Sequence, residues 1–242
     1  MRDTFTPSAL GVLVVDGDAG WSSEMANHLG LEKVSVVVTD ASQDVLAIAE
    51  HAQPRVIILD LDLPGDGKLE TCRRLRAVSN AYLIVVSARC DEAMTISGLA
   101  AGADDVCTKP VSSRAVAARI GAILRRQRSS YPFTRPSRAG KSSGRLVFGP
   151  VSVDVGRREV FVADEQIKLT RTQFEILTTL AQRRGAVTTR QELLDSVWGP
   201  CWSGSPNIID VHIGQLRRRL GDDPARPLLV LNVRGKGYRL AG

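Results

Sequence analysis

Three acids, a hydroxyl and an amine stand where greasy runs of this chain end. "VLVVDGDAGW" closes the run Val12, Leu13, Val14 and Val15 with Asp16 and Asp18. "VIILD" ends in Asp60, "LIVVS" in Ser87, and "DDVCTKP" carries Lys109. Carboxylates brought together repel, so they call for a hard cation, and Mg²⁺ with oxygen ligands is the natural one. A nearby hydroxyl and ammonium suit an incoming phosphoryl group. A carboxylate in such a place can itself be the nucleophile and become an acyl phosphate.

A second set of residues suits a different chemistry. "PNIIDVHIGQLRRRLG" predicts a helix over 206–220 with Ile209, Ile213, Leu216 and Leu220 on one face. That face should dock on a core. The other face offers Asn207, Val211, His212, Gly214, Gln215 and the run Arg217, Arg218, Arg219. Arginines at a helix end suit phosphates, glutamine reads adenine, and an aliphatic side chain packs on a thymine methyl. "LLVLNVRGKGYRL" reads as a closing hairpin whose Arg-Gly-Lys-Gly tip permits positive φ.

Both sets need elements to position them. Strands are expected at 11–16, 34–39, 55–61, 81–88 and 104–110, with helices at 20–30, 42–52, 67–78, 91–101 and 112–126. Five strand–helix repeats with fully apolar strands predict a doubly wound parallel α/β sheet covered on both faces. Ligands of such sheets sit beyond the carboxyl ends of the strands, which is where Asp16, Asp60, Ser87 and Lys109 fall. Residues 127–145 mix Ser, Pro, Gly and Arg without an apolar period and read as a flexible basic linker. Short strands then precede helices at 171–183, 190–198 and 206–220. Helix–turn–helix followed by a hairpin outlines an α+β winged helix. The expected domains are therefore 1–126, the linker 127–145, and 146–242.

Charge divides the same way. Residues 1–126 hold 13 basic and 16 acidic residues, residues 127–145 hold 5 basic and none acidic, and residues 146–242 hold 14 basic and 10 acidic. The basic back half fits a polyanion such as double-stranded DNA. Cys72, Cys90, Cys107 and Cys201 are scattered, with no metal-binding or disulfide spacing. The N-terminus lacks a signal pattern and no apolar run approaches the length of a membrane helix. A cytoplasmic protein without a membrane partner is expected.

The motifs "VVDGDA", "ILDLDLPGDG", "VVSA" and "GADDVCTKP" make residues 9–126 resemble the receiver domain of bacterial response regulators. "LTRTQFEILTTLAQRRGAVTTRQELLDSVWG", "DVHIGQLRRRLGDD" and "LNVRGKGYRL" make residues 146–242 resemble the OmpR/PhoB class of winged-helix effector domains. The resemblance implies Asp60 as phospho-acceptor, Asp16 as its acidic neighbour, Ser87 as switch hydroxyl, and Lys109 on the phosphate, followed by a cis Lys109–Pro110 peptide. It implies a dimer face that retains Asp105 and Arg119. On the DNA side it implies a recognition helix at 206–220, Arg234 as the wing arginine, phosphate contacts from Thr188 or Thr189 and Trp198, and Tyr238 supporting the hairpin. The implied partners are DNA, a second copy of the chain, a sensor histidine kinase, and RNA polymerase at the loop 199–206, where Trp202 either contacts it or packs inward.

The chain departs from the pattern at Gly17, where the family has a second metal carboxylate, and at Val106, where it has a switch aromatic. Thr95 and Ala115 replace charged residues of the dimer face, and Asn207, Gly214 and Gln215 replace basic residues at the recognition helix. Asp18 either stands in for the carboxylate missing at Gly17 or only caps the helix that follows. The expectation is a sequence-specific transcription regulator, not an enzyme. Its atypical receiver would bind Mg²⁺ weakly at Asp16 and Asp60, and phosphorylation at Asp60 would be impaired or dispensable. The alternatives are a conventional regulator switched by phosphorylated Asp60 and, more distantly, an aspartyl-phosphate phosphohydrolase using Asp60 and Asp62 as a D-x-D pair.

Overall fold

The structure, a computed structural model, describes residues 11–40, 44–64, 67–89, 91–129, 145–200, 202, 204 and 207–241. The chain divides into two compact units, Met1–Leu124 and Arg125–Gly242.

In the first unit, five strands alternate with five helices: β1 (Val12–Val15), α1 (Ala19–Leu31), β2 (Val36–Thr39), α2 (Val45–Ala52), β3 (Val56–Asp60), α3 (Lys68–Val78), β4 (Tyr82–Ser87), α4 (Glu92–Ala100), β5 (Asp105–Thr108) and α5 (Ser113–Ser129). The sheet is parallel throughout, in the order β2-β1-β3-β4-β5. β1, β3 and β4 are buried at every residue, as expected of central strands covered on both faces. The order reverses beside β1, so the tips of β1 and β3 flank the crevice where doubly wound sheets bind ligands.

Aspartates start three of these helices by accepting main-chain N–H groups that have no partner inside the helix. Asp18 accepts from Trp21, Asp44 from Leu46 and Ala47, and Asp91 from Met94. Away from the crevice, Arg76 joins Asp104 at 2.6 Å and donates to the Gly102 and Ala81 carbonyls. Asp104 is fully buried and also accepts from the Leu83 N–H. That paired charge ties α3 to the starts of β4 and β5.

The second unit opens with an antiparallel four-stranded sheet: β6 (Arg145–Phe148), β7 (Val151–Asp154), β8 (Glu159–Val162) and β9 (Glu165–Ile167). Three helices follow, α6 (Arg171–Gln182), α7 (Arg190–Val197) and α8 (Ile208–Leu220). A three-stranded sheet, in the order β10-β12-β11, joins β10 (Thr188–Thr189) to the closing hairpin of β11 (Val230–Val233) and β12 (Gly237–Leu240). Thr170 and Thr189 form capping boxes with Gln173 and Glu192. This is a winged helix, and with the first unit it gives the expected architecture.

One boundary differs from the sequence reading. α5 runs to Ser129, so the first three residues of the expected linker are helical, and Arg145 already belongs to β6. Polar residues can extend a helix by its backbone bonds alone, and no apolar period marks where it stops. The rest of that linker, the N-terminal ten residues, Cys90 and Cys201 lie outside the described residues. Cys72 and Cys107 are buried thiols outside any disulfide. Among the described residues no helix is long and apolar enough to cross a membrane.

Candidate phosphoryl pocket and nucleic-acid interface

The strand tips converge as expected. Lys109, just after β5, sets its ammonium 2.9 Å from Asp16 Oδ2 and 2.9 Å from Asp60 Oδ2. Both aspartates are buried, and the shared lysine offsets their mutual repulsion. Burial works against the charge of Lys109, but hydrogen bonds and Coulomb attraction from Asp60 and Asp16 outweigh it, and its pKa lies above the ordinary lysine value. The Lys109–Pro110 peptide is cis. The Trp21 ring lies below the ammonium, 5.9 Å from it to the ring centre, and the indole N–H donates to the Val111 carbonyl.

Asp18 does not join this group. Its carboxylate accepts from Trp21 N at 3.0 Å and its own N–H donates to Asp16 Oδ1 at 2.8 Å. The expected pocket role of Asp18 is thereby corrected to that of a helix cap, because its carboxylate takes up an N–H at the start of α1 that has no partner inside the helix. Gly17 contributes no donor. Two carboxylates remain, Asp16 and Asp60. Their oxygen chemistry suits Mg²⁺, but the set is one ligand short, and among the described residues no three His, Cys, Asp or Glu side chains gather around a common point.

Ser87 is buried at the tip of β4, with its hydroxyl turned to Asp62. The hydroxyl donates to Asp62 Oδ1 at 3.1 Å, and the Ala88 N–H donates to Asp62 Oδ2 at 2.5 Å. The Asp62 N–H in turn donates to Asp60 Oδ1 at 2.8 Å. Sequence reasoning placed Asp62 only in a D-x-D pair. The acid two residues past the strand tip was the visible signal, but its main-chain partner at Ala88 has no signature in sequence.

Asp105 and Arg119, expected on a dimer face, pair within the chain at 2.6 Å, with Asp105 buried and Arg119 also donating to Cys107 Sγ. Burial opposes the guanidinium charge, yet Asp105 and its other neighbours hold the Arg119 pKa above its usual value. The pair therefore braces β5 against α5 in the single chain. Val106, at the position expected of the switch aromatic, is half-buried, and Ile96 on α4 is exposed.

In the second unit, α8 buries Ile208, Ile209, His212, Ile213, Leu216, Arg217 and Leu220, so the expected apolar face holds and widens. Asn207, Arg218 and Arg219 are exposed, and Val211 and Gln215 are half-buried. Gln215 accepts from Gln173 at 3.1 Å, which fixes its amide against α6. At the hairpin tip Arg234, Gly235 and Lys236 are exposed, with Gly235 at φ 70° as the Arg-Gly-Lys-Gly sequence implied.

Three expected phosphate or base contacts are corrected. Arg217 is 9% exposed; its guanidinium donates twice to the Val230 carbonyl and lies 4.0 Å from Asp222. The run of three arginines hides this because successive helix positions are about 100° apart, so one of the three must turn inward. Thr188 is fully buried in β10 opposite Tyr238. Trp198 is buried with its ring 5.6 Å from His212 and 5.7 Å from half-buried Trp202, so Trp202 packs inward. Thr189 is exposed, but its hydroxyl is engaged with Glu192.

Tyr238 supports the hairpin as expected. Its hydroxyl donates to Asp210 at 2.7 Å, Asp210 pairs with Arg190 at 2.9 Å, and Arg190 lies over the Tyr238 ring. Burial and the Asp210 hydrogen bond push the phenol up to about 12. The triad ties α7, α8 and β12 together, and it was not visible in the sequence.

Residues 12–121 match the response regulator receiver domain, and residues 164–240 match the C-terminal domain of transcriptional regulatory proteins. The chain is 38% identical over 231 residues to the sensory transduction protein RegX3 of Mycolicibacterium smegmatis, spanning 96% of this chain and 99% of that one. It is 34% identical over 229 residues to the DNA-binding response regulator MtrA of the same organism, spanning 94% and 95%. It is 32% identical over 230 residues to the alkaline phosphatase synthesis transcriptional regulatory protein PhoP of Bacillus subtilis, spanning 95% of each. Among solved structures, a RitR mutant shares the fold with a TM-score of 0.71 at 24% identity, over 95% of this chain and 98% of that one.

Proposed function

The chain belongs to the OmpR/PhoB-class two-component response regulators, DNA-binding proteins with a receiver domain, and from that premise we propose that its DNA binding does not depend on phosphorylation of Asp60. The observation that carries this reading is the reduced donor set: Gly17 supplies no carboxylate, Asp18 caps α1, and Lys109 bridges the two acids that remain. Asp16 and Asp60 would hold Mg²⁺ weakly. The ion, when bound, would screen charge on a phosphoryl group. Asp60 is the acceptor in this reading, Ser87 the hydroxyl donor, and Lys109 the group that orients and neutralises a phosphoryl oxygen. Val106 lacks the ring that would couple Ser87 to the outer face.

On the DNA side, α8 enters the major groove with Asn207, Val211, Gln215 and Arg218 toward it, and Arg234 reaches the minor groove from the wing. The protein acts as a homodimer on paired half-sites, through the face that carries exposed Ile96. A sensor histidine kinase and RNA polymerase are its further partners. It works in the cytoplasm as a regulator and not as an enzyme.

Selection from random duplexes by the full chain tests the DNA-binding part of this reading. Wild type and Asp60→Ala should enrich the same repeated half-site. Failure of both to enrich any sequence would reduce the protein to an architectural DNA binder, and enrichment by wild type alone would restore a role for Asp60.

A further inference from the structure

Val86 of β4 pairs with Asp60 of β3, so the next two donors along the β4 tip are the Ser87 hydroxyl and the Ala88 N–H. Each has one proton to give, and each gives it to a different oxygen of Asp62. This is not a local turn closing on itself: Asp62 follows β3, the donors end β4, and 25 and 26 residues separate them. The Asp62 N–H meanwhile donates to Asp60 Oδ1. The Asp60–Leu61–Asp62 segment therefore folds so that the second carboxylate reaches the tip of the neighbouring β4 and takes both donors at once.

We propose that Asp62 is a tethered internal anion that occupies the site where two oxygens of a phosphoryl group on Asp60 would find their donors. A carboxylate and the edge of a phosphoryl group both present two anionic oxygens on one side. The donors cannot serve both, and Asp62 would repel an arriving phosphoryl dianion. Asp62 must leave before the phosphoryl group settles. Until it does, Ser87 and Ala88 are held in an anion-engaged arrangement with no phosphorylation. This rests on the reading of Asp60 as the phospho-acceptor and gives that acceptor a competitor within its own chain.

The test uses the full chain with acetyl phosphate and Mg²⁺. In the labelling step an Asp60 oxygen attacks phosphorus, the bond from phosphorus to the acetate oxygen breaks, and acetate leaves with the electron pair. Asp62→Ala should raise the labelling rate by about tenfold or more, the factor represented by one charge-assisted hydrogen bond. Asp62→Asn, which keeps an acceptor for Ser87 and loses the anion, should fall between. The Ala88 amide resonance gives a readout independent of labelling. It should lie downfield in wild type and move upfield in unphosphorylated Asp62→Ala. Equal labelling rates in wild type and both variants, or an Ala88 resonance in the same place in wild type and Asp62→Ala, would overturn the proposal and leave the role of Asp60 standing. Label that persists after Asp60→Ala would overturn the acceptor assignment instead. Asp62 is exposed, so its replacement should leave the thermal midpoint near that of wild type.

Discussion

Replacing Gly17 with aspartate returns a carboxylate to the rim of the phosphoryl pocket and should tighten Mg²⁺ binding. The backbone accepts the change: Gly17 is not among the positive-φ glycines, and a Cβ there would meet only Leu63 Cδ2, at 3.1 Å. That methyl ends a flexible side chain and needs to move by a few tenths of an ångström. One added charge-assisted ligand contact is worth about 1.5–3 kcal/mol, or roughly ten- to a hundredfold in affinity. Without metal the same substitution adds a third negative charge beside Asp16 and Asp60, against the single ammonium of Lys109, so the metal-free thermal midpoint should fall. Magnesium should restore it. Trp21 is the natural reporter, since its ring lies 5.9 Å from the Lys109 ammonium. A Mg²⁺ titration of its fluorescence, with the Trp21→Phe protein as background for Trp198 and Trp202, gives both dissociation constants. A folded Gly17→Asp protein with the wild-type constant would refute the reasoning. The pocket would then already draw a third ligand from elsewhere, Asp18 being the nearest acid in sequence.

Other outcomes follow from the winged helix. Arg217→Ala removes two hydrogen bonds to the Val230 carbonyl from a buried guanidinium, which should cost about 2–3 kcal/mol and lower the melting point of that unit by roughly 10–20 °C. A calorimetric midpoint unchanged from wild type would return Arg217 to the DNA. Arg234→Ala, at the exposed tip, should leave the melting point alone, weaken DNA binding, and reduce the slope of log affinity against log salt by about 1. An unchanged slope would place the wing away from phosphate. Tyr238 should titrate near 12 in the folded protein, against 10.0 ordinarily, when followed by phenolate absorbance. Because the folded state holds the proton more tightly, this group's stabilisation is complete below about pH 10 and declines as pH rises toward 12. Asp210→Asn should bring the value down, and a Tyr238 that titrates normally in the folded wild type would contradict the triad.

The elements were legible because their signals are strong. β1, β3 and β4 are uninterrupted apolar runs, and a strand buried on both faces can be little else. The polar residues at the ends of these strands and just after β5 announced Asp16, Asp60, Ser87 and Lys109, and the structure brings Asp16, Asp60 and Lys109 within ion-pair distance. Sequence did not reveal which way a particular side chain turns. Asp18 had two chemically reasonable destinations and took the helix cap, while Arg217 sat in a run that looked solvated and turned inward to a carbonyl. Asp62 meets Ser87 only because the loops after β3 and β4 fold together, a contact without period or spacing. The Arg190–Asp210–Tyr238 triad joins three elements distant in sequence, and it escaped notice for the same reason.

The central claim is that the receiver's pocket does not set DNA affinity. Its most direct test is the affinity of the selected duplex for wild type and Asp60→Ala, each with and without phosphodonor and Mg²⁺. The account predicts four equal dissociation constants. Tighter binding confined to wild type given the phosphodonor would contradict it and return the protein to an ordinary phosphorylation switch.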